Sequence, residues 1–353
     1  MATDEAGDDL FDAELAARTG DWEAAHRLYS HALASPAATT ASRAAAGLGR
    51  LAFENGDHDQ AVSYLEQAVS GDTLPLPDRN AALELLGRAL GLLARFDESR
   101  ALFSGALADA RAVGDETAAL RFSVLLANLL IDRGNLEQAE GLLASILNSA
   151  RSATDPVELS NIYWSQARLH SSQARPDLAA RYARMAHATL ESTEHTVFAA
   201  RALMLLAHIE NDRQNHIEAL SLADEGGPVL AVAGNRLDEG MLLLERARAL
   251  AGLGHREDAI GMILSATPRF EQAHPTSAAR GYATAADIFR KLDEPGRALE
   301  LYELAAEVAP AEDRHRSDIY RAIGEIHESE GRAAEAMNYF KRALDVQSRV
   351  QHG

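Results

Sequence analysis

The stretch YRAIGEIHESEGRAAEAMNYFKRAL, residues 320–344, decides the fold. Gly331 sits at its centre, Ala336 follows five residues later, and Phe340 and Ala343 continue at helical spacing. Ahead of the glycine, Tyr320, Ile323 and Gly324 keep the same rhythm. The pattern predicts two helices joined by a tight turn: the glycine accepts the turn's backbone, and the small residues let the helices approach closely.

The pattern recurs through the chain. Gly20, Ala25, Tyr29 and Ala32 form the first set, and Gly56, Ala61, Leu65 and Ala68 the second. Turn positions follow at 94, 134, 174, 214, 254, 293 and 331, spaced 36 to 40 residues apart with four successive intervals of forty. A fixed period in this range marks a stack of helical pairs in which each unit buries its apolar face against its neighbours. With the turn residue numbered fifteen, third positions run Ala44, Ala82, Phe122, Ile162, Ala202, Leu242, Gly281 and Ile319. Tenth positions run Leu51, Ala89, Leu129, Leu169, Ile209, Ala249, Ile288 and Ile326. Both columns are apolar or small, so both are predicted core.

These residues resemble the tetratricopeptide repeat; the last unit fits its signature best, and Pro310, ahead of it, fits the family's closing proline. The resemblance implies an all-α, right-handed superhelical solenoid of about nine repeats, at 9–40, 41–77, 78–117, 118–157, 158–197, 198–237, 238–276, 277–314 and 315–350. An acidic tail, 1–8, precedes them. The forty-residue period exceeds the family's usual thirty-four, so longer helices and a wider superhelix are expected. The spacing, the paired Tyr163 and Trp164, and the closing run from ALELYELAAEVAP onward also resemble the repeat regions of bacterial Cro/repressor-type helix-turn-helix regulators. More distantly, they are similar to peptide-pheromone receptors. Those proteins carry a DNA-binding domain ahead of the repeats; here the first repeat begins by residue 9, so direct nucleic-acid binding is not expected.

Composition bounds the partners. The chain has 353 residues, 53 acids against 34 bases, and a net charge of -19, a field that repels nucleic acid and anionic lipid. No apolar run is long enough for a membrane span, and the acidic start is no signal peptide, so the cytoplasm is expected. The chain has no cysteine, hence no disulfide or thiolate metal site. Phosphate-binding, zincin and nucleophile-elbow motifs are missing. The reading is therefore a non-catalytic protein with no cofactor and no metal.

The resemblance places second, fifth, ninth and twelfth positions on a concave face. The ninth column reads Arg50, Arg88, Asn128, Arg168, His208, Arg248, Asp287 and Glu325; the second reads Arg43, Ala81, Arg121, Asn161, Arg201, Met241, Arg280 and Asp318. Eight of these sixteen are arginine, where 34 bases in 353 residues would supply one or two. Neighbouring first helices should lie about 10 Å apart, at which two wet arginines repel by only about 0.4 kcal/mol, so the ladder is tolerable without a ligand. The expected ligand is an extended peptide or protein segment, acidic or ending in a carboxylate, held by Arg88, Asn128, Asn161, Trp164, Arg168, Arg201, His208 and Arg248. The arginines would hold carboxylates, the asparagines backbone amides, and Trp164 an apolar side chain. Two readings stay open beside it: an assembly scaffold working through the convex face or ends, and a regulatory subunit of an enzyme complex. In either, the arginines pair internally, with Glu84 and Glu245 as candidate partners. A homodimer through the exposed end of the last repeat is also expected.

Overall fold

The computed structural model describes residues 5–150, 155–310 and 315–352. Residues 1–4 of the expected tail lie outside it, and the first helix runs from Glu5. Among the described residues the chain is eighteen α-helices in nine consecutive pairs, with no strand. First helices are α1 (Glu5–Thr19), α3 (Ala38–Glu54), α5 (Leu76–Leu92), α7 (Glu116–Asp132), α9 (Pro156–Ser172), α11 (Thr196–Asp212), α13 (Arg236–Gly252), α15 (Pro275–Lys291) and α17 (His315–Ser329). Second helices are α2 (Trp22–Ala32), α4 (His58–Val69), α6 (Phe96–Val113), α8 (Leu136–Ala150), α10 (Pro176–Leu190), α12 (His216–Ala233), α14 (Arg256–Ala266), α16 (Pro295–Val308) and α18 (Ala333–His352). Residues through Leu142 form one compact unit and those from Leu143 a second.

Each of the seven first helices from α3 to α15 has 17 residues, about 25 Å of helix, so the long period is spent on longer helices as expected. All nine predicted turn residues have positive φ, from 55° at Ala174 to 82° at Gly20 and Gly254. In every turn the next residue's N–H donates to a carbonyl five residues back, at 2.8–2.9 Å, from Asp21 to Ala16 through to Arg332 to His327. This left-handed residue with its six-to-one bond is how helices commonly stop. Aspartates after two of the turn glycines then start the next helix: Asp21 accepts from the Ala24 N–H at 3.0 Å and Asp57 from the Gln60 N–H at 3.1 Å.

Four of the nine turns hold a side chain in this conformation: Ala94, Ala174, Gln214 and Asp293. A left-handed residue with a Cβ costs about 1–2 kcal/mol, partly offset in a glycine variant by its freer unfolded chain. Glycine at Ala94, Ala174 or Gln214 is therefore expected to stabilise by about 0.5–1 kcal/mol, and at Asp293 by less, because aspartate tolerates this region better. The two tryptophans, Trp22 and Trp164, fall in different units and give each its own fluorescence readout in urea. A midpoint that falls in the glycine variants would refute the strain.

Burial confirms the register. Every residue of the third and tenth columns is buried, and none of the sixteen in the second and ninth is. The alanine five residues after each turn is buried too, with Ser99 as its one substitute, donating to the Gly87 carbonyl at 2.7 Å. Repeats five and nine share a further module. Ser160 and Ser317 donate to the carbonyls of Ala186 and Ala343, each at 3.0 Å. His170 stacks on Tyr182 and His327 on Tyr339, both at 5.4 Å, with Tyr163 and Tyr320 beside them. The same side chains thus recur at the same positions four repeats later.

Candidate functional site

The expected ligand-binding residues divide between the units. Arg88 and Asn128 lie on α5 and α7 of the first unit. Arg88 is exposed, its guanidinium 5.0 Å from the Phe53 ring and 3.8 Å from Glu84, the partner anticipated from sequence. Asn128 is half-buried. The other six stand on α9, α11 and α13 of the second unit.

On α9, Asn161 is exposed, while Trp164 and Arg168 are half-buried, with the guanidinium 4.8 Å from the indole centroid. One turn separates these two side chains, so the helix itself holds the cation over the ring. The assembled surface is a flat aromatic and a positive charge beside an amide. On α11, Arg201 Nε donates to Asp238 at 2.6 Å, reaching to the first turn of α13.

His208 and Arg248 meet in a clasp between α11 and α13. Its centre is Glu245, a carboxylate 3% exposed. One oxygen lies 2.8 Å from His208 Nδ1; the other accepts from Arg248 Nη1 at 3.0 Å and from the Asn211 amide at 3.1 Å. The same Asn211 amide donates to the Glu245 carbonyl at 2.8 Å, and Arg248 Nη2 donates to Asp212 at 2.6 Å. Burial alone would push the Glu245 carboxyl up, but His208, Arg248 and Asn211 outweigh it and hold it at about 2. Burial likewise disfavours a charged His208, yet Glu245 and Asp212 raise it above its ordinary 6.5. Arg248 Nη1 also lies 3.0 Å from His208 Nδ1. A protonated ring donates from that nitrogen to Glu245 and cannot accept there, so Arg248 acts through the two carboxylates.

A second buried carboxylate, Glu210, accepts from Arg184 at 2.6 Å, Arg213 at 2.9 Å and Asn215 at 2.7 Å. Several ion pairs join a residue to one 35–37 positions away: Arg201 to Asp238, Asp212 to Arg248, Asp177 to Arg213 and Arg290 to Glu325. They are rungs between successive repeats.

Columns read one helix at a time miss these partners. Asp212 and Asp238 fall outside the second and ninth columns, while Glu245 was among the anticipated partners; together the three acids compensate Arg201 and Arg248. Fifth and twelfth positions are mixed: Val124, Ile131, Asn211 and Leu244 are buried. A third buried column also went unread, sixteen residues after the turns, at Ala110, Leu190, Leu230, Phe270 and Ala309. The signal there is broken, since the same offset holds Pro36, Asp72 and Gln347 in other repeats.

Two open clefts lie in the second unit. One, of about 370 Å³ between α15 and α17, is lined by Arg280, Asp287, Arg290, Asp318, Arg321 and Glu325, which include the second and ninth positions of both helices. The other, of about 390 Å³, lies between the C-terminal ends of α11, α13 and α15. Among the described residues no group of three or more His, Asp or Glu side chains is disposed to hold a metal, and no helix is long and apolar enough to cross a membrane.

Consecutive helix pairs, left-handed turn residues and small residues at the crossings define a tetratricopeptide-type array. Family models agree: two models of the tetratricopeptide repeat match, one over residues 12–72 and 46–115, the other over residues 317–349. Tetratricopeptide repeats are thus matched at both ends of the chain. No curated protein matches it. Among solved structures, a Rap protein complexed with competence and sporulation factor is similar at a TM-score of 0.57 and 16% identity, covering 78% of each chain. A Rap conjugation gene regulator of the plasmid pLS20, in complex with a Phr peptide, gives 0.55 and 16%, over 88% of this chain and 75% of the other. A signal-transduction ATPase with a tetratricopeptide-repeat sensor from Pyrococcus horikoshii gives 0.55 and 14%, over 92% of this chain and 52% of that one. At such identities the likeness is one of fold.

Proposed function

We propose that the chain is a non-catalytic recognition protein whose first-helix face in the second unit receives an extended peptide or protein segment bearing carboxylates. The observation that carries this reading is the burial register: the first helices from α3 to α17 turn their third and tenth residues inward and leave their second and ninth exposed or half-exposed. On α9 the open face offers Asn161, Trp164 and Arg168 together. An indole with a stacked guanidinium takes an apolar side chain and a carboxylate side by side, and the amide pairs with peptide backbone in either sense. Two Rap structures of similar fold were solved with a bound factor or peptide, in keeping with this use of the architecture. Regulation through the bound segment is the role we infer for it.

A second reading, a scaffold with internally paired arginines, has its own support in the Arg201, His208 and Arg248 rungs. Native mass spectrometry of protein from its own host, followed by denaturation, separates the two. We expect a released peptide, and a synthetic copy should lose about 2 kcal/mol of affinity or more on Trp164→Ala with Arg168→Ala, the scale of an aromatic anchor. A protein partner that stays bound to that double variant would instead favour the scaffold.

A further inference from the structure

We propose that the cleft between the C-terminal ends of α11, α13 and α15 is a carboxylate-binding subsite, in which Lys291 holds an acidic group of the bound segment. The inference rests on the first-helix face being the ligand-receiving one, and it adds a residue that stands in neither ladder column.

The cleft has a volume of about 390 Å³ and is walled by Asp212, Gln214, His216, Arg248, Gly252 and Lys291. This volume lies within the usual range for small ligand sites. Most of its polar groups are already engaged. Arg248 donates to Asp212 and Glu245, and the Asn211 amide to Glu245. His216 Nδ1 lies 3.2 Å from the Asn211 side-chain oxygen, and its ring packs where a Cβ on Gly252 would stand. Lys291 differs: it is exposed at the end of α15, and among the described residues it forms no ion pair.

The local charge points the same way. Arg248 offsets Asp212 at this wall, which leaves the Lys291 ammonium unmatched. Burial first, then the positive charges of Arg248 and Lys291, hold His216 below its ordinary 6.5, so the ring itself adds no charge and the two cations set the field at this wall. Residue choice adds to this. Thirty-two of the 34 bases are arginine, so lysine here departs from the chain's habit. A compact ammonium on a flexible stem suits one carboxylate arriving at an open mouth, where a fork would seek two acceptors.

The test uses the whole chain with lysine 13C-labelled at Cε. Only two side-chain signals arise, from Lys291 and Lys341, and Lys291→Arg tells them apart. Glutarate is expected to move the Lys291 signal saturably with Lys341 still, and glutaramide to move neither. Equal, unsaturable movement of both would overturn the subsite, since that is general ionic screening. Tetra-alanine as the free acid and an amidated peptide with one aspartate then separate a terminal carboxylate from a side-chain one, by which of them moves Lys291. A peptide that binds the parent protein should weaken about tenfold on Lys291→Gln, the scale of one charge-assisted hydrogen bond. Unchanged affinity would overturn the subsite while leaving Trp164-dependent binding intact. A glutarate response at Lys291 without Trp164-dependent peptide binding would do the reverse.

Discussion

Phe270→Ala is expected to cost the second unit about 3–5 kcal/mol, at the top of the range for core truncations. The ring ends a one-turn 3-10 helix, Thr267–Phe270, that follows α14, and it is fully buried. It occupies the space that Cβ atoms on Gly240 and Gly281 would need: those positions lie 2.7 and 2.8 Å from its ring atoms. Gly240 belongs to α13 and Gly281 to α15, so one aromatic fills the gap between successive first helices because both lack a side chain. Tyr282 meets it edge-on at 5.7 Å. Removing the ring opens a cavity between two repeats that the rigid helices cannot close. Repeat arrays hold together through nearest-neighbour interfaces, so the transition should also broaden as α13 and α15 uncouple. Gly281→Ala attacks the same contact by overpacking, at about 1–3 kcal/mol. Urea unfolding followed by Trp164 fluorescence in a Trp22→Phe background reads both. A Phe270→Ala loss under about 1 kcal/mol would show that the ring is not the plug.

How much of this was legible in the sequence differs by element. The nine turns were, because each needs a left-handed residue followed five positions on by a small one, and that constraint survives where Ala94, Ala174, Gln214 and Asp293 replace glycine. The two core columns of the first helices were legible for the same reason: period and register lie within one helix. Gly281 read as a small core residue, but its reason, Phe270, did not. The ring comes after α14, in a segment where second helices range from 11 to 20 residues and the helical rhythm breaks. The face of α9 was legible as a face. The partners of Arg201, His208 and Arg248 were legible only in part: Glu245 could be named, but Asp212 and Asp238 depend on the rotation and rise between repeats, which no single-helix pattern contains.

Arg248→Ala is expected to destabilise the second unit by about 3 kcal/mol, the low end for breaking a buried ion pair, because His208 and Asn211 stay with Glu245. Removing both charges with Glu245→Leu and Arg248→Met should recover most of that loss, since the penalty comes from leaving a buried carboxylate short of a partner. The clasp should also shape stability against pH. Glu245 titrates at about 2 in the folded chain against 4.5 ordinarily, so its contribution is whole above 4.5 and drains as pH falls toward 2. His208 is raised, so its contribution is whole below 6.5 and is lost as pH climbs through the folded value. Stability from the clasp is therefore greatest between about pH 4.5 and 6.5. His208→Gln should flatten the alkaline side of the Trp164-detected profile relative to the parent, and also shrink the acid-side loss, because His208 is the first of the groups that hold Glu245 low; identical alkaline slopes would remove His208 from the clasp. A ligand carboxylate that took Arg248 would have to break the same contacts, at a cost near that of the substitution. Binding by charge is therefore better served where that clasp stays intact, as at Lys291 in its open cleft.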